Sequence, residues 1–252
     1  MPDLGVTPLF YAAAIPAVVL LGFSKGGFSG VGLLSLPLLA LVMPPIRAAG
    51  IILPILLLQD ALTVYAYRHS WDARNLKLLL PGSVVGVLLG YLFAAQVSDA
   101  MLSLFVGLLA GIFAARRLLS PNPSGGSPSG QNRPFGLLCG ALSGFASMVA
   151  NAGSPPFQIY VLPQRLNPQI LAGTSAMVFA ATNLMKVAPF AALGQFDPSN
   201  LVNSATLMPV AVLSNLAGIY LVRRISAERF YRAIYLILIA VSLKLICDGL
   251  LT

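Results

Sequence analysis

Long apolar runs separated by short polar connections make up most of this chain. A membrane-crossing helix needs about 20 consecutive apolar residues. The pattern predicts six such spans, at 48–67, 76–95, 98–117, 169–193, 200–222 and 227–250. Two further apolar stretches, 8–43 and 135–163, break that rhythm. The first is too long for one ordinary span and is interrupted by Gly26, Gly27 and Gly30; the second is interrupted between Ser147 and Ser154. The arms of the first, Leu9–Gly22 and Gly30–Met43, have 14 residues each. At about 1.5 Å per residue an arm reaches roughly 21 Å, short of a hydrocarbon core of about 30 Å. Each stretch is therefore expected to be a broken, re-entrant helical hairpin that turns near the midplane. Irregular backbone is tolerated at that depth only where it is buried in protein or lines a cavity. A single long kinked helix is the competing reading.

The two interrupted stretches are related. GFSKGGFSGVGLLS at 22–35 returns as GFASMVANAGSPPF at 144–157, and the spacing that follows is shared. Ala49-Gly50 echoes Ala172-Gly173, Asp60 echoes Asn183, Gly90 echoes Gly218, and Ser98 echoes Ser226. The chain reads as two halves, 1–119 and 134–252, joined by a polar linker at 120–133. Paired interrupted segments at matching places in two halves are the sequence pointer to a transporter's binding site.

Charge orients the halves. With one hairpin and three spans per half, one face receives Arg68, Arg74, Lys77, Arg116, Arg117, Arg133, Arg165, Arg223, Arg224, Arg229 and Arg232. The other face receives Arg47 alone among the loop residues. If each interrupted stretch crossed once, the split would be six against six. The lopsided count is what the excess of Lys and Arg on cytoplasmic loops produces. Two full passes per hairpin would give the same count, so arm length alone argues for re-entry. The expected architecture is an all-α integral membrane protein of two inverted repeats. Both termini would be periplasmic and the central loop cytoplasmic.

Composition agrees. The chain is 58% hydrophobic and 9% charged, with mean hydropathy +0.87, where soluble domains carry roughly 25% charged residues. No charged n-region precedes the first apolar run, so no signal peptide is expected. The formal charge of +8 is assigned to membrane orientation rather than nucleic acid. Cys139 and Cys247 both lie in apolar runs and read as packing residues. The one histidine, His69, lies in a loop, no metal-ligand cluster accompanies it, and no Walker motif is present. No cofactor, metal or catalytic group is expected.

The breaks carry the candidate chemistry. Ser154-Pro155-Pro156 reads as a helix start inside the membrane, with Ser154 as N-cap, and Ser29-Gly30 is expected to open the matching arm. Two helix N-termini would then offer unpaired N–H groups and positive dipole ends to an anion. Gly26, Gly27, Gly30 and Gly153 would let backbone approach a ligand. Ser24, Ser29, Ser147, Asn151, Ser154 and Gln158 would add polar groups, and Gln59, Thr174 and Ser175 are weaker lining candidates. Close helix packing is the plainer role of the small residues. Intramembrane charges are costly and mark function. Lys25 is either an anion ligand or a structural cation. Asp60, matched by Asn183, either titrates in coupling or holds Lys25 or a hairpin turn. Lys186, one turn after Asn183, either faces the cavity or, the favoured reading, snorkels at the outer end of its span.

GFSKGGFSGVGLLSLPLL, the central basic loop and GFASMVANAGSPPFQIYVL together resemble the sulfite exporter TauE/SafE family of membrane permeases, also called the toluene-sulfonate uptake permease family. The resemblance spans nearly the whole chain. It implies a secondary transporter of small anions, sulfur-containing ones such as sulfite or a sulfonate, in the bacterial inner membrane. An anion channel of the same fold is the alternative. An enzyme is not expected, because no nucleophile–base pair or metal cluster is present. The expected partners are a small anionic substrate and the lipid bilayer, not nucleic acid, with a homo-oligomer left open.

Overall fold

Pro, Asp and Asn punctuate the apolar runs and decide where the helices begin. Asp72 opens one helix by accepting from the Asn75 N–H at 2.7 Å, and Asn167 opens another by accepting from the Gln169 N–H at 3.0 Å. Such caps satisfy donors that a helix start leaves free. The computed structural model describes residues 8–26, 30–119, 132–221 and 227–251. Among them it places the helices α1 (Pro8–Gly26), α2 (Ser35–Ala40), α3 (Pro45–Tyr67), α4 (Ala73–Gln96), α5 (Asp99–Leu119), α6 (Arg133–Ala150), α7 (Ser154–Val161), α8 (Pro168–Met185), α9 (Val187–Ala192), α10 (Pro198–Leu221) and α11 (Ala227–Leu251). No strand occurs among the described residues. The protein is an all-helical, multi-pass membrane protein. Seven described segments are long and apolar enough to cross a bilayer.

Helices α3, α4, α5, α10 and α11 lie on the expected spans. The span expected at 169–193 is divided into α8 and α9 at Lys186. Pro189 has no N–H for the Met185 carbonyl and so interrupts the ladder there.

Both interruptions fall where the pattern placed them, but their arms are unequal. The first arm, α1, has 19 residues rather than the 14 expected, and its counterpart α6 has 18. The helix of α1 continues through Ser24 and Lys25 because no breaker precedes Gly26-Gly27. Gly27, Phe28 and Ser29 lie outside the described residues. Gly30 resumes the chain in the left-handed region, φ 97°, followed by a 3₁₀ turn at Val31–Leu34 and the six-residue α2. In the second half Asn151 ends α6 in the left-handed region, φ 50°. The return is the eight-residue α7 and a 3₁₀ turn at Leu162–Gln164. Each hairpin is thus a membrane-length arm with a short return. The long arm of the first nevertheless stops inside the bundle. Lys25, near its end, reaches Asp60, which is seven residues short of the end of α3 at Tyr67.

Helix pairing follows a rule of exchange. The most extensive contacts are α4 with α6, α5 with α11, α1 with α10, and α3 with α8. Matching the halves pairs α1 with α6, α3 with α8, α4 with α10 and α5 with α11. Under that matching, every one of these contacts maps onto itself or onto another. The α4–α6 contact is a double glycine seam. Gly82, Gly86 and Gly90 recur every fourth residue on α4, and Gly136, Gly140 and Gly144 do so on α6. A Cβ at Gly86 would lie 1.9 Å from the Ala141 carbonyl oxygen, and one at Gly140 would lie 2.2 Å from that of Leu79. Without side chains the two backbones touch, as small-residue motifs allow in membranes. The register rises together along both helices, so they run parallel, while α3 and α8 run antiparallel. In the latter pair Gly173 meets Tyr67 and Ser70, while Asn183 meets Asp60.

Gly86→Ala should force α4 and α6 apart and cost about 1–3 kcal/mol. Gly111→Ala, whose nearest neighbour is the Ser242 Cβ at 3.3 Å, should be far milder. Thermal unfolding of both variants in one detergent checks this; equal melting points would contradict a packed seam.

Candidate functional site

The site grows from the ends of the two long hairpin arms. Lys25 occupies the last turn of α1, where a cation complements the negative end of the helix dipole. It forms an ion pair with the Oδ1 atom of Asp60 on α3. Its ammonium also lies 5.8 Å from the ring centre of Phe179 on α8, within cation–π range. The other carboxylate oxygen of Asp60, Oδ2, accepts from the Asn183 side-chain amide on α8 at 2.6 Å. The residue pair matched by the internal repeat, Asp60 and Asn183, is therefore bonded directly, at the crossing of α3 and α8.

One turn beyond Asn183 the network reaches the second break. Lys186 donates to Asn151 Oδ1 at 2.8 Å and to the Ser147 carbonyl at 3.3 Å. Ser147 lies in the last turn of α6, and its carbonyl accepts from the Asn151 N–H at 3.2 Å as well as from Lys186. Snorkelling is overturned for Lys186: its residue is 1% exposed. The hinge at Met185–Val187 and the hairpin end beside it draw the side chain inward instead. Asp60 and Asn183 are buried as well, at 2% and 4%. The outcome is two polar clusters, Lys25–Asp60–Asn183 and Lys186–Asn151–Ser147, joined along α8 by the Lys186 backbone N–H to the Asn183 carbonyl at 3.2 Å.

The charges in these clusters do not balance. Lys25 and Asp60 cancel, and Asn183 is neutral. The partners of Lys186 are a neutral amide oxygen and a backbone carbonyl. Asn151 Nδ2, on the side chain that accepts from Lys186, and Ser154 Oγ, three residues further on, are buried without a hydrogen-bond partner among the described residues. Buried donors of this kind cost about 1–3 kcal/mol each when unmet. One cation and two idle donors gathered at one break can take up the oxygens of an anion.

The remaining expected residues fall in several places. Gly153, not Ser154, is the cap of α7, and Ser154 is its first helical residue. Gly30 cannot open an α-helix because its left-handed backbone leads into a 3₁₀ turn; an added Cβ there would meet Tyr235 of α11 and Phe113 of α5. Close approach at the buried centre thus comes from the C-terminal ends of α1 and α6 rather than from a pair of N-termini. Ser24 packs against Gly32. Gly26 ends α1, and Gly27 and Ser29 are outside the described residues. Gln158 is buried on α7, its carbonyl accepting from the Leu162 N–H. Thr174 and Ser175 donate back into α8, Thr174 also accepting from the Asp72 N–H. Gln59 is fully buried and donates to the Ala211 carbonyl of α10.

Sequence reasoning passed over two polar clamps at the span ends. Asn75 and Gln164 exchange side-chain hydrogen bonds at 2.9 and 3.0 Å. Arg47 donates to Asn200 Oδ1 at 3.0 Å and to Ser199 Oγ at 3.2 Å. Their signal was a short repeat, Trp71-Asp72-x-x-Asn75-Leu76 against Phe196-Asp197-x-x-Asn200-Leu201. Both aspartates accept from the N–H three residues on. The Ser199 hydroxyl is the main group holding the Asp197 carboxyl below the ordinary carboxylate range.

Membrane-length helices around buried, unevenly paired charges define a polytopic membrane protein. The chain matches the family model described as sulfite exporter TauE/SafE over residues 14–245, and it belongs to that family of membrane transporters. Comparison with curated proteins and with solved structures gave no match.

Asp60→Ala should leave Lys25 buried without its counter-charge and cost about 3–5 kcal/mol. The double change Lys25→Met with Asp60→Asn should recover a large part of that loss. Unfolding curves of both variants in nanodiscs check it. An Asp60→Ala protein as stable as the parent would mean that the pair contributes little.

Proposed function

We propose that this protein is a secondary transporter of a small sulfur-containing anion, of the sulfite or sulfonate class, held beside the second chain break. The observation that carries this reading is Lys186. It is a buried cation with neutral partners only, at the same break as the idle donors of Asn151 and Ser154. An oxyanion supplies the missing charge and accepts from those donors. Lys25 has a different role, because Asp60 already neutralises it; it fixes the end of α1 against α3 and α8.

A carrier fits this site better than a channel. Lys186, Asp60 and Asn183 are enclosed by protein, as the occluded site of an alternating-access carrier is, whereas the lining of an open pore meets water. The exchange rule of helix pairing and the antiparallel crossing of α3 and α8 support two inverted repeats with the site between them. The loop charges support a bacterial inner-membrane protein with both termini in the periplasm and the 120–133 linker in the cytoplasm.

Purified protein should bind at least one of sulfite, thiosulfate, sulfoacetate and isethionate by calorimetry. Lys186→Gln should weaken that binding by about 2–5 kcal/mol, the scale of a lost charged contact in a desolvated site. Lys25→Gln should affect melting temperature more than affinity. An unaltered affinity in folded Lys186→Gln protein would remove Lys186 from the site. For orientation, reporter fusions after Thr252 should be active in the periplasm and fusions within 124–130 in the cytoplasm; the reverse pattern would overturn the topology.

A further inference from the structure

We propose that Lys186 is also the coupling group. The anion boards when Lys186 is an ammonium, and the empty carrier returns after Lys186 has given that proton to solvent water. Each turnover then moves one proton with one anion. This inference rests on the anion site proposed above.

A lysine ammonium has three N–H donors and no acceptor; its neutral amine has two donors. Lys186 makes two hydrogen bonds, to Asn151 Oδ1 and to the Ser147 carbonyl. A neutral amine serves both of them. The third N–H of the ammonium has no acceptor among the described residues, so it is available to an anion's oxygen. When no anion is present, that same N–H is the one the site does not need.

Charge points the same way. An unpaired ion held out of water costs several kcal/mol, and a group so placed sheds its charge rather than stay ionised. The charged and titratable neighbours offer no other relief. On α3, Asp60 has both carboxylate oxygens engaged, by Lys25 and by Asn183. On α1, Lys25 is a like charge. On α6, the groups facing Lys186 are the Asn151 amide and the Ser147 carbonyl, neither of which titrates. On α4, Arg74 and Lys77 lie near its start, the end tied to Thr174 by Asp72. Thr174 is twelve residues before Lys186, roughly 18 Å along the helix. Tyr91 lies further along α4, and α9 has no titratable side chain. An empty carrier therefore sheds its surplus charge by releasing a proton, and a loaded one holds it against the anion. Anion and proton bind together or leave together.

The balance is simple. On the side of entry Lys186–NH2 takes a proton from water, and the ammonium binds the anion through its third N–H. On the side of exit the anion leaves, the N–H bond breaks, and the proton returns to water. No electron moves. For a monovalent anion the loaded and empty carriers both carry no net charge at Lys186.

Vesicles containing the reconstituted full-length chain and a trapped pH dye test this, with sulfite and isethionate as probes; the sulfonate of isethionate does not itself titrate. Wild-type protein should take up isethionate down an inward proton gradient, with one proton entering per anion. It should exchange labelled for unlabelled anion whether or not a gradient is present. Lys186→Arg retains the cation but cannot release its proton, so exchange should remain measurable while net uptake falls at least tenfold. If wild-type protein binds none of sulfite, thiosulfate, sulfoacetate and isethionate, the anion site falls and this inference with it; where thiosulfate or sulfoacetate is the anion bound, it replaces the probe. If anions bind but wild-type uptake moves no protons, or Lys186→Arg transports as fast in net uptake as in exchange, coupling at Lys186 is wrong while the site stands. Should Lys186→Arg fail to fold, the proton count of the wild-type protein decides alone.

Discussion

The constraint behind the whole arrangement is that a charge cannot stay bare inside a dry helical bundle. Lys25 enters that interior at the end of α1, and Asp60 is the only carboxylate among the described residues that meets it. The pair is worth keeping only if both ions are fully engaged, because removal from water costs several kcal/mol per ion. Asn183 completes the set by donating to the free carboxylate oxygen. In doing so it ties α8, the first span of the second half, to α3, its counterpart in the first. One ion pair and one amide thus determine where α1 stops and how the two halves meet.

The glycines complement that polar lock. Gly136, Gly140 and Gly144 let α6 lie directly on α4. On the other side Gly22 of α1 lies so near Ser214 of α10 that a Cβ would be 2.0 Å from its hydroxyl oxygen. Each long hairpin arm is seated on a second span of the opposite half. Backbones this close cannot slide without lifting apart, since packed interfaces switch between discrete arrangements rather than deform smoothly. A hairpin and its partner span are therefore one mechanical unit, and a site lying between two such units changes shape when they rotate against each other.

Much of this was legible in the sequence. Apolar run length located the spans, and small residues located both breaks, since these features act through local backbone and solvation. The bond between Asp60 and Asn183 was foreshadowed only as matching positions in a repeat. Three features escaped. The arms were underestimated because Ser24 and Lys25 look like the start of a loop but extend α1 into the bundle. Lys186 looked like a surface lysine because its depth depends on the hinge that Pro189 makes. The clamp residues Asn75 and Asn200 are isolated amides in polar loops, and only the recurrence of Asp-x-x-Asn-Leu marks them. What the sequence could not yield in each case was a partner distant along the chain.

The difference between the halves is what makes the centre useful. Both long arms end against a lysine. In α1 it is the helix's own Lys25; in α6 it is Lys186, reaching across from α8 to Ser147 and Asn151. In each case a cation meets the negative end of a helix dipole. The repeat then places an acid at 60 and an amide at 183. An acid at 183 would set a second carboxylate against Asp60, which like-charge repulsion disfavours. With Asn183, Lys25 has Asp60 as counter-charge, while Lys186 is held by an amide oxygen and a carbonyl. The matched positions differ at Lys25 against Ser147, Asp60 against Asn183 and Thr63 against Lys186, and together these differences put one counter-charged and one neutrally partnered lysine at the centre.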